Sequence, residues 1–421
     1  MAIPTTKRDR RVARESAMSH QALLAELYAR APRGMRLGVE AMQAACDRFD
    51  NPERAFAAVH VAGTNGKGSV CAMLEAAARA AGRRTGLYSS PHLSRFAERI
   101  RVNGEPLDDD RLGRTLGEVL RREPELSFFE AATLTAFVAF REAKVDLAIV
   151  EVGLGGRLDA TNVLPKPLAT AVTRIAFDHM DKLGSTLVEI AREKGAIAKA
   201  GAPMLVGLVD QDVFEAIAMT SLSRGATARS IVDEASAVAF ARGARLSLAG
   251  EHQRDNAALA FALAQTLGID DATAAGAIEG ARWPGRLERL ETERGPVLLD
   301  AAHNPDGARA LAAALADARP ENTALVFGAL ADKDAASMLD ILAPLARVRA
   351  YAPARGRLAT PTALLAARHN GATCATVMEA LGQARSAVGQ GGLVVVAGSI
   401  SLVGEVRASL LGEPMDEPVA L

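Results

Sequence analysis

The stretch Val59–Val70, VHVAGTNGKGSV, constrains this chain more than any other. A short apolar run enters a glycine-rich turn, and CAMLEAAARAAG leaves it at helical spacing. A strand that feeds a helix through glycines presents several backbone N–H groups to one point. The helix dipole adds partial positive charge there. Lys67 supplies a full charge and Ser69 a hydroxyl. Gly63, Thr64, Asn65, Gly66, Lys67, Gly68 and Ser69 are therefore the candidate polyphosphate site. The spelling departs from the common G-x-x-x-x-G-K-S/T, because Gly68 stands where a serine or threonine is expected.

The rest of the chain follows the same strand–helix plan. AAVHVAG, RTGLYSS, VDLAIVEVG and LATAVTRI read as strands, with helical patterns over 67–81, 108–122, 131–143 and 186–198. Such alternation implies a mostly parallel sheet covered on both faces. The pattern restarts after about residue 285. PVLLDAAHNP, TALVFGAL, RVRAYAP and GGLVVVAGS read as strands, with helices near 305–318, 334–344, 360–368 and 377–388. The expected fold is α/β: a large P-loop-type domain over 21–285 and a smaller Rossmann-like domain over 286–421. Pro284 and Gly285, in ARWPGRLERLE, are expected to interrupt a helix at the boundary. Residues 1–20 read as a flexible extension, and the tail GEPMDEPVAL as loose. A cleft between two domains is a favoured ligand site.

Charge narrows the partners. With 49 basic and 50 acidic residues the net charge is −1, so neither nucleic acid nor a membrane surface is an expected partner. Three scattered cysteines form no C-x-x-C pair, which fits a reducing, cytoplasmic setting.

Several strand ends carry polar residues. Glu151 closes an apolar strand, where phosphate-loop proteins place a carboxylate for Mg²⁺; a solvated glutamate is the alternative. Ser90 and His179 follow two other strands. Lys194 lies in a helical pattern, and its spacing alone reads as an exposed helix lysine. Phe128 and Phe129, in SFFEAATLTAF, fit either the core or a stacking contact with a flat ligand. Asp300, His303 and Asn304 follow a strand of the second half, and Asn256 and Arg286 could reach the same cleft; capping or a surface position is the alternative for each.

Taken in order, GTNGKGS, YSSPHLSRFAERI, SFFEAATLTAF, EVGLGGRLDATN, FDHMDKLG, REKGAI, WPGRLE, DAAHNP, ADKD and GSISLVGEV resemble the motifs of the folylpolyglutamate synthase/dihydrofolate synthase family, within the wider Mur ligases. They span roughly 34–405. The resemblance implies an ATP-dependent amide ligase. It activates a carboxylate as an acyl phosphate, which the amine of L-glutamate attacks. The acceptors implied are dihydropteroate and tetrahydrofolate; a monofunctional folylpolyglutamate synthase, or a Mur-type amino-acid ligase, are the alternatives. The resemblance also implies ATP, two Mg²⁺ ions, K⁺ and a monomer.

It assigns Ser90, Glu151, His179 and a carbamylated Lys194 to metal. It assigns Asn256, Arg286 and Asp300 to the nucleotide, and gives Lys67, Lys194 and His303 catalytic roles. The acceptor would meet Gly34, Met35, Arg36 and Leu37, then Ser127, Phe128, Phe129 and Glu130, then Leu158, Asp159 and Ala160.

Overall fold

The computed structural model describes residues 19–31, 38–356 and 358–416. Its first sheet contains β1 (Ala57–Ala62), β2 (Thr85–Tyr88), β3 (Ile100–Val102), β4 (Glu105–Pro106), β5 (Leu147–Glu151), β6 (Ala169–Val172), β7 (Met204–Val206) and β8 (Ala228–Ser230). The strand order is β4-β3-β2-β5-β1-β6-β7-β8. From β2 to β8 the pairing is parallel, and β3 and β4 add an antiparallel edge. β1 lies between β5 and β6 and is buried along nearly its whole length, as a continuous apolar strand in a covered parallel sheet should be.

Register then fixes the site. Val61 lies opposite Glu151, and Ala62 opposite Val172. The carboxyl ends of β5, β1 and β6 therefore bring Glu151, the Gly63–Ser69 turn and Thr173 side by side. From that turn runs α1 (Lys67–Ala80). Further along come α2 (Phe128–Glu142), α3 (Leu187–Gly195) and α4 (His252–Thr266).

The second sheet contains β9 (Glu288–Leu290), β10 (Val297–Leu299), β11 (Thr323–Phe327), β12 (Val348–Tyr351), β13 (Ala372–Thr373) and β14 (Leu393–Ala397). Its order is β13-β12-β11-β14-β10-β9, parallel except for β9. α5 (Pro305–Ala314) follows β10 and α6 (Ile400–Leu411) follows β14. Among the described residues no helix is long and apolar enough to cross a membrane.

Four details differ from the sequence reading. α2 begins at Phe128 rather than Ala131, because Ser127 and Glu130 form a reciprocal capping box that starts the helix three residues earlier. Pro284 and Gly285 do not interrupt a helix; the preceding helix, Asp271–Gly280, has already ended. Ser19 and His20 belong to no loose extension, since Ser19 caps the helix His20–Tyr28. The tail is anchored as far as Asp416: its N–H donates to the Ser94 carbonyl at 3.0 Å, and its carboxylate accepts from Phe96 N at 2.6 Å.

The core beneath β2 rests on a close fit. A Cβ on Gly86 would meet the Phe140 ring at 2.9 Å, and Phe140 is fully buried. Phe140→Ala should leave a cavity and cost about 3–5 kcal/mol of stability. The check is the urea midpoint; a variant as stable as the parent would contradict this packing.

Candidate active site

The phosphate loop is shaped by its neighbours. Gly66 has φ +88°, and a Cβ there would meet the Asn256 side chain of α4 at 2.3 Å. Gly68, the apparent irregularity in the motif, lies against Trp283; a Cβ would meet its indole nitrogen at 2.6 Å. The serine or threonine of the common spelling has no room here. Thr173, after β6, donates from its hydroxyl to the Asn65 carbonyl at 2.7 Å and pins the turn from the other side.

Lys67 and Lys194 converge on one atom. Their ammonium groups donate to the Gly63 carbonyl at 3.1 and 2.9 Å. Lys67 also reaches the Thr64 carbonyl at 3.1 Å and lies 3.9 Å from Glu151. Lys194, read by spacing as exposed, is buried in α3. Burial, with Lys67 nearby, pulls its amine down to about 7. Burial pushes the Glu151 carboxyl up to about 6, against the charges of Lys67 and Arg286. His179 holds a left-handed backbone, φ +50°, a strain typical of functional positions. Burial pulls its imidazole down to about 4, so near neutral pH the ring is neutral and carries a lone pair, with Lys333 Nζ 3.4 Å from Nε2.

Across the cleft, Asn65 donates to Asn304 at 3.1 Å and to Asp306 at 2.8 Å, and Arg174 binds the same Asp306 carboxylate at 2.9 Å. Lys333 donates to Asp178 at 2.6 Å, with His303 3.6 Å from the other carboxylate oxygen. Burial opposes ionisation of Asp178, but His303, His179 and Lys333 together hold its carboxyl well below the usual range.

One cavity of about 550 Å³ gathers Gly63–Ser69, Ser90, Glu151, His179, Lys194, Asn256, Arg286, Asp300 and His303. Every residue assigned to nucleotide, metal or catalysis thus lines a single space. Asp300 also accepts from the N–H groups of Leu287 and Ala302, both at 2.9 Å. Among the described residues no three His, Cys, Asp or Glu groups form a metal cage. The hydroxyl of Ser90, the carboxylate of Glu151 and the neutral imidazole of His179 are nonetheless donors that Mg²⁺ accepts, in a cavity open enough for nucleotide oxygens to complete its shell.

A second cavity, of about 420 Å³, adjoins the first; the two share Ser90, Gly153, His179 and His303. Ser127, Phe128 and Phe129 line it. Glu130 does not: its carboxylate accepts from Ser127 N at 2.8 Å, inside the capping box. Nor do Leu158, Asp159 and Ala160. Asp159 is buried and accepts from the N–H groups of Leu154 and Thr161, both at 2.9 Å. Gly34, Met35, Arg36 and Leu37 lie outside the described residues. Arg99, on the loop after β2, lines the second cavity as well, and sequence reading missed Lys333 and the anchored Met415–Asp416 as lining residues. The ADKD motif held the signal for Lys333, but nothing in its spacing said which face it served.

Comparison with known proteins agrees with this geometry. Residues 61–264 match the Mur ligase middle domain and 285–400 the Mur ligase glutamate ligase domain. The dihydrofolate synthase/folylpolyglutamate synthase of Escherichia coli is 36% identical over 386 residues, 88% of this chain and 90% of that protein. The E. coli FolC structure in complex with DHPP and ADP superposes with a TM-score of 0.83 at 29% identity, covering 94% of this chain and 98% of that one. The bifunctional Yersinia pestis protein complexed with AMPPNP and Mn ion gives a TM-score of 0.83 at 32% identity, covering 94% and 98%. The chain spans about half the length, 46% and 48%, of the probable bifunctional folylpolyglutamate synthase/dihydropteroate synthases of Halobacterium salinarum and Haloferax volcanii. With both Mur ligase domains and that match over nine-tenths of the E. coli protein, the chain belongs to the dihydrofolate synthase/folylpolyglutamate synthase family of Mur ligases.

Proposed function

We propose that this chain is an ATP-dependent ligase that joins L-glutamate to dihydropteroate and extends tetrahydrofolate with glutamate, through an acyl phosphate. The observation that carries this is the junction of the two cavities at Ser90, Gly153, His179 and His303. A γ-phosphoryl group held by the phosphate loop would face a carboxylate entering from the aromatic-lined side. The DHPP of the E. coli structure, and the ligands AMPPNP and L-glutamate with Mn in another bifunctional relative, support the substrate classes. Both walls of the cleft come from one chain, which supports action as a monomer.

In this reading the loop amides and Lys67 hold the phosphates and disperse charge as the γ-phosphoryl group moves. Ser90, Glu151, His179 and Lys194 would hold two Mg²⁺ ions, which when bound neutralise phosphate charge and polarise the transferring group. Asn256, Arg286 and Asp300 orient the nucleotide from both sides of the cleft. His303, beside Asp178 and Lys333, borders the space where glutamate would meet the activated carbonyl. Phe128 and Phe129 supply a flat apolar wall for a pterin ring.

Lys194 reaches its metal role by modification. An amine with pKa about 7 is half neutral at that pH. Its lone pair then attacks the carbon of CO₂ and sheds a proton, leaving a carbamate that donates oxygen as a carboxylate does.

Two outcomes test the proposal. ADP release with ATP, Mg²⁺ and L-glutamate should require dihydropteroate or tetrahydrofolate, and Lys67→Ala should slow it at least about 100-fold without loss of the folded circular dichroism spectrum. Silence with both acceptors would refute the ligase reading. ¹³C-bicarbonate should give a carbamate NMR signal that is absent in Lys194→Arg. The neutral amine is the reactive form, so the signal should grow as pH rises through 7 and fade below it; an unmodified amine at pH 8 would refute the modification.

A further inference from the structure

A separate cavity of about 350 Å³ shares the loop Pro91–Ser94 with the acceptor cavity, and Arg286 with the nucleotide cavity. No role has been given to it above. Four arginines line it, and two are already satisfied: Arg95 pairs with Asp109, and Arg407 with Glu288 and Glu413. The Glu98 carboxylate is also taken, by the N–H groups of Leu93, Ser94 and Arg95 at 2.8, 3.0 and 2.7 Å.

Arg101 and Arg286 remain. Among the described residues neither has a carboxylate within ion-pair distance. Arg101 donates to the carbonyls of Glu98 and Gly104, each at 3.3 Å, and Arg286 to that of Gly285 at 3.5 Å. These are long for hydrogen bonds from a guanidinium, which normally finds shorter, charge-assisted partners. Two under-used guanidinium groups facing one cavity make a site for negative charge.

The same residues connect it to the phosphate loop. Arg101 lies 5.2 Å over the Trp283 ring, and the indole nitrogen of Trp283 lies against Gly68, the residue after Lys67. Anything that draws Arg101 into the cavity changes what holds Trp283 on the loop.

We propose that this cavity binds a small polyanion with two or more carboxylate or phosphate groups, bridging Arg101 and Arg286, and that its occupancy is felt at the phosphate loop through Trp283. A short γ-linked oligoglutamate and inorganic pyrophosphate share the required chemistry. The first arm rests on the ligase reading, since that reaction would make such chains; the second does not.

Trp283 is the only tryptophan of the chain, so its emission reports the site. The nucleotide-free protein is titrated with tri-γ-glutamate and, separately, with pyrophosphate. A saturable emission change is expected in the parent and in Lys67→Ala, with affinity at least tenfold weaker in Arg101→Gln. Arg101→Lys keeps the charge without the forked geometry; it serves as the folding control and should fall between the two. A response to one anion alone identifies the class and supports the site. Three results would overturn it: no saturable change with either anion, equal affinity in Arg101→Gln, or a response lost in Lys67→Ala, which would place the anion on the phosphate loop. Because emission does not depend on turnover, failure of the ligase reading would leave this test standing.

Discussion

Two lysine ammonium groups share one carbonyl oxygen, that of Gly63, at the mouth of the central strand. Burial, and after it the repulsion of a like charge this close, lowers the basicity of Lys194. Glu151, opposite Val61 in the neighbouring strand, lies 3.9 Å from Lys67, and burial raises its carboxyl to about 6. Around the Gly63 carbonyl itself, positive charge is thus locally in excess, although Asp178, Asp255, Asp300 and Asp306 line the wider cavity. A polyphosphate would relieve that excess, as would conversion of Lys194 to an anion. The nucleotide reading and the modified-lysine reading answer the same electrostatic problem.

The second domain completes the site from the other side. Asn304 and Asp306, at the start of α5, meet Asn65 of the phosphate loop and Arg174 beyond β6. Lys333 and His303 meet Asp178. These contacts are charged or amide pairs rather than apolar packing, so they can exchange partners with ligands at modest cost. A cleft of this kind can hold a phosphoryl donor on one sheet and present its acceptor from between the two.

Much of this was legible in the sequence because the strand ends of a parallel sheet converge. A glycine turn, a terminal glutamate and a histidine after three different strands had to meet once β1, β5 and β6 were neighbours. Three-residue strands such as β7 and β9 were not legible, since so short a run carries no periodicity. Gly68 could be read as a departure from the common motif but not explained: its reason is Trp283, 215 positions away, which only the fold brings near. Glu130 and Asp159, read as acceptor contacts, do not line the second cavity, for a local reason. Each carboxylate accepts from nearby N–H groups, Glu130 through Oε2 in a helix cap and Asp159 in a tight turn. Lys194 is the reverse case, a lysine at ordinary helical spacing whose burial follows from α3 packing beneath the phosphate loop.

The central claim is that ATP energy reaches the amide bond through phosphorylation of the acceptor carboxylate. Isotope transfer tests it most directly. With both carboxylate oxygens of the acceptor labelled with ¹⁸O, one label should leave in inorganic phosphate for each amide formed, because the phosphoryl group departs with the oxygen it was placed on. Phosphate free of ¹⁸O alongside amide product would contradict the account.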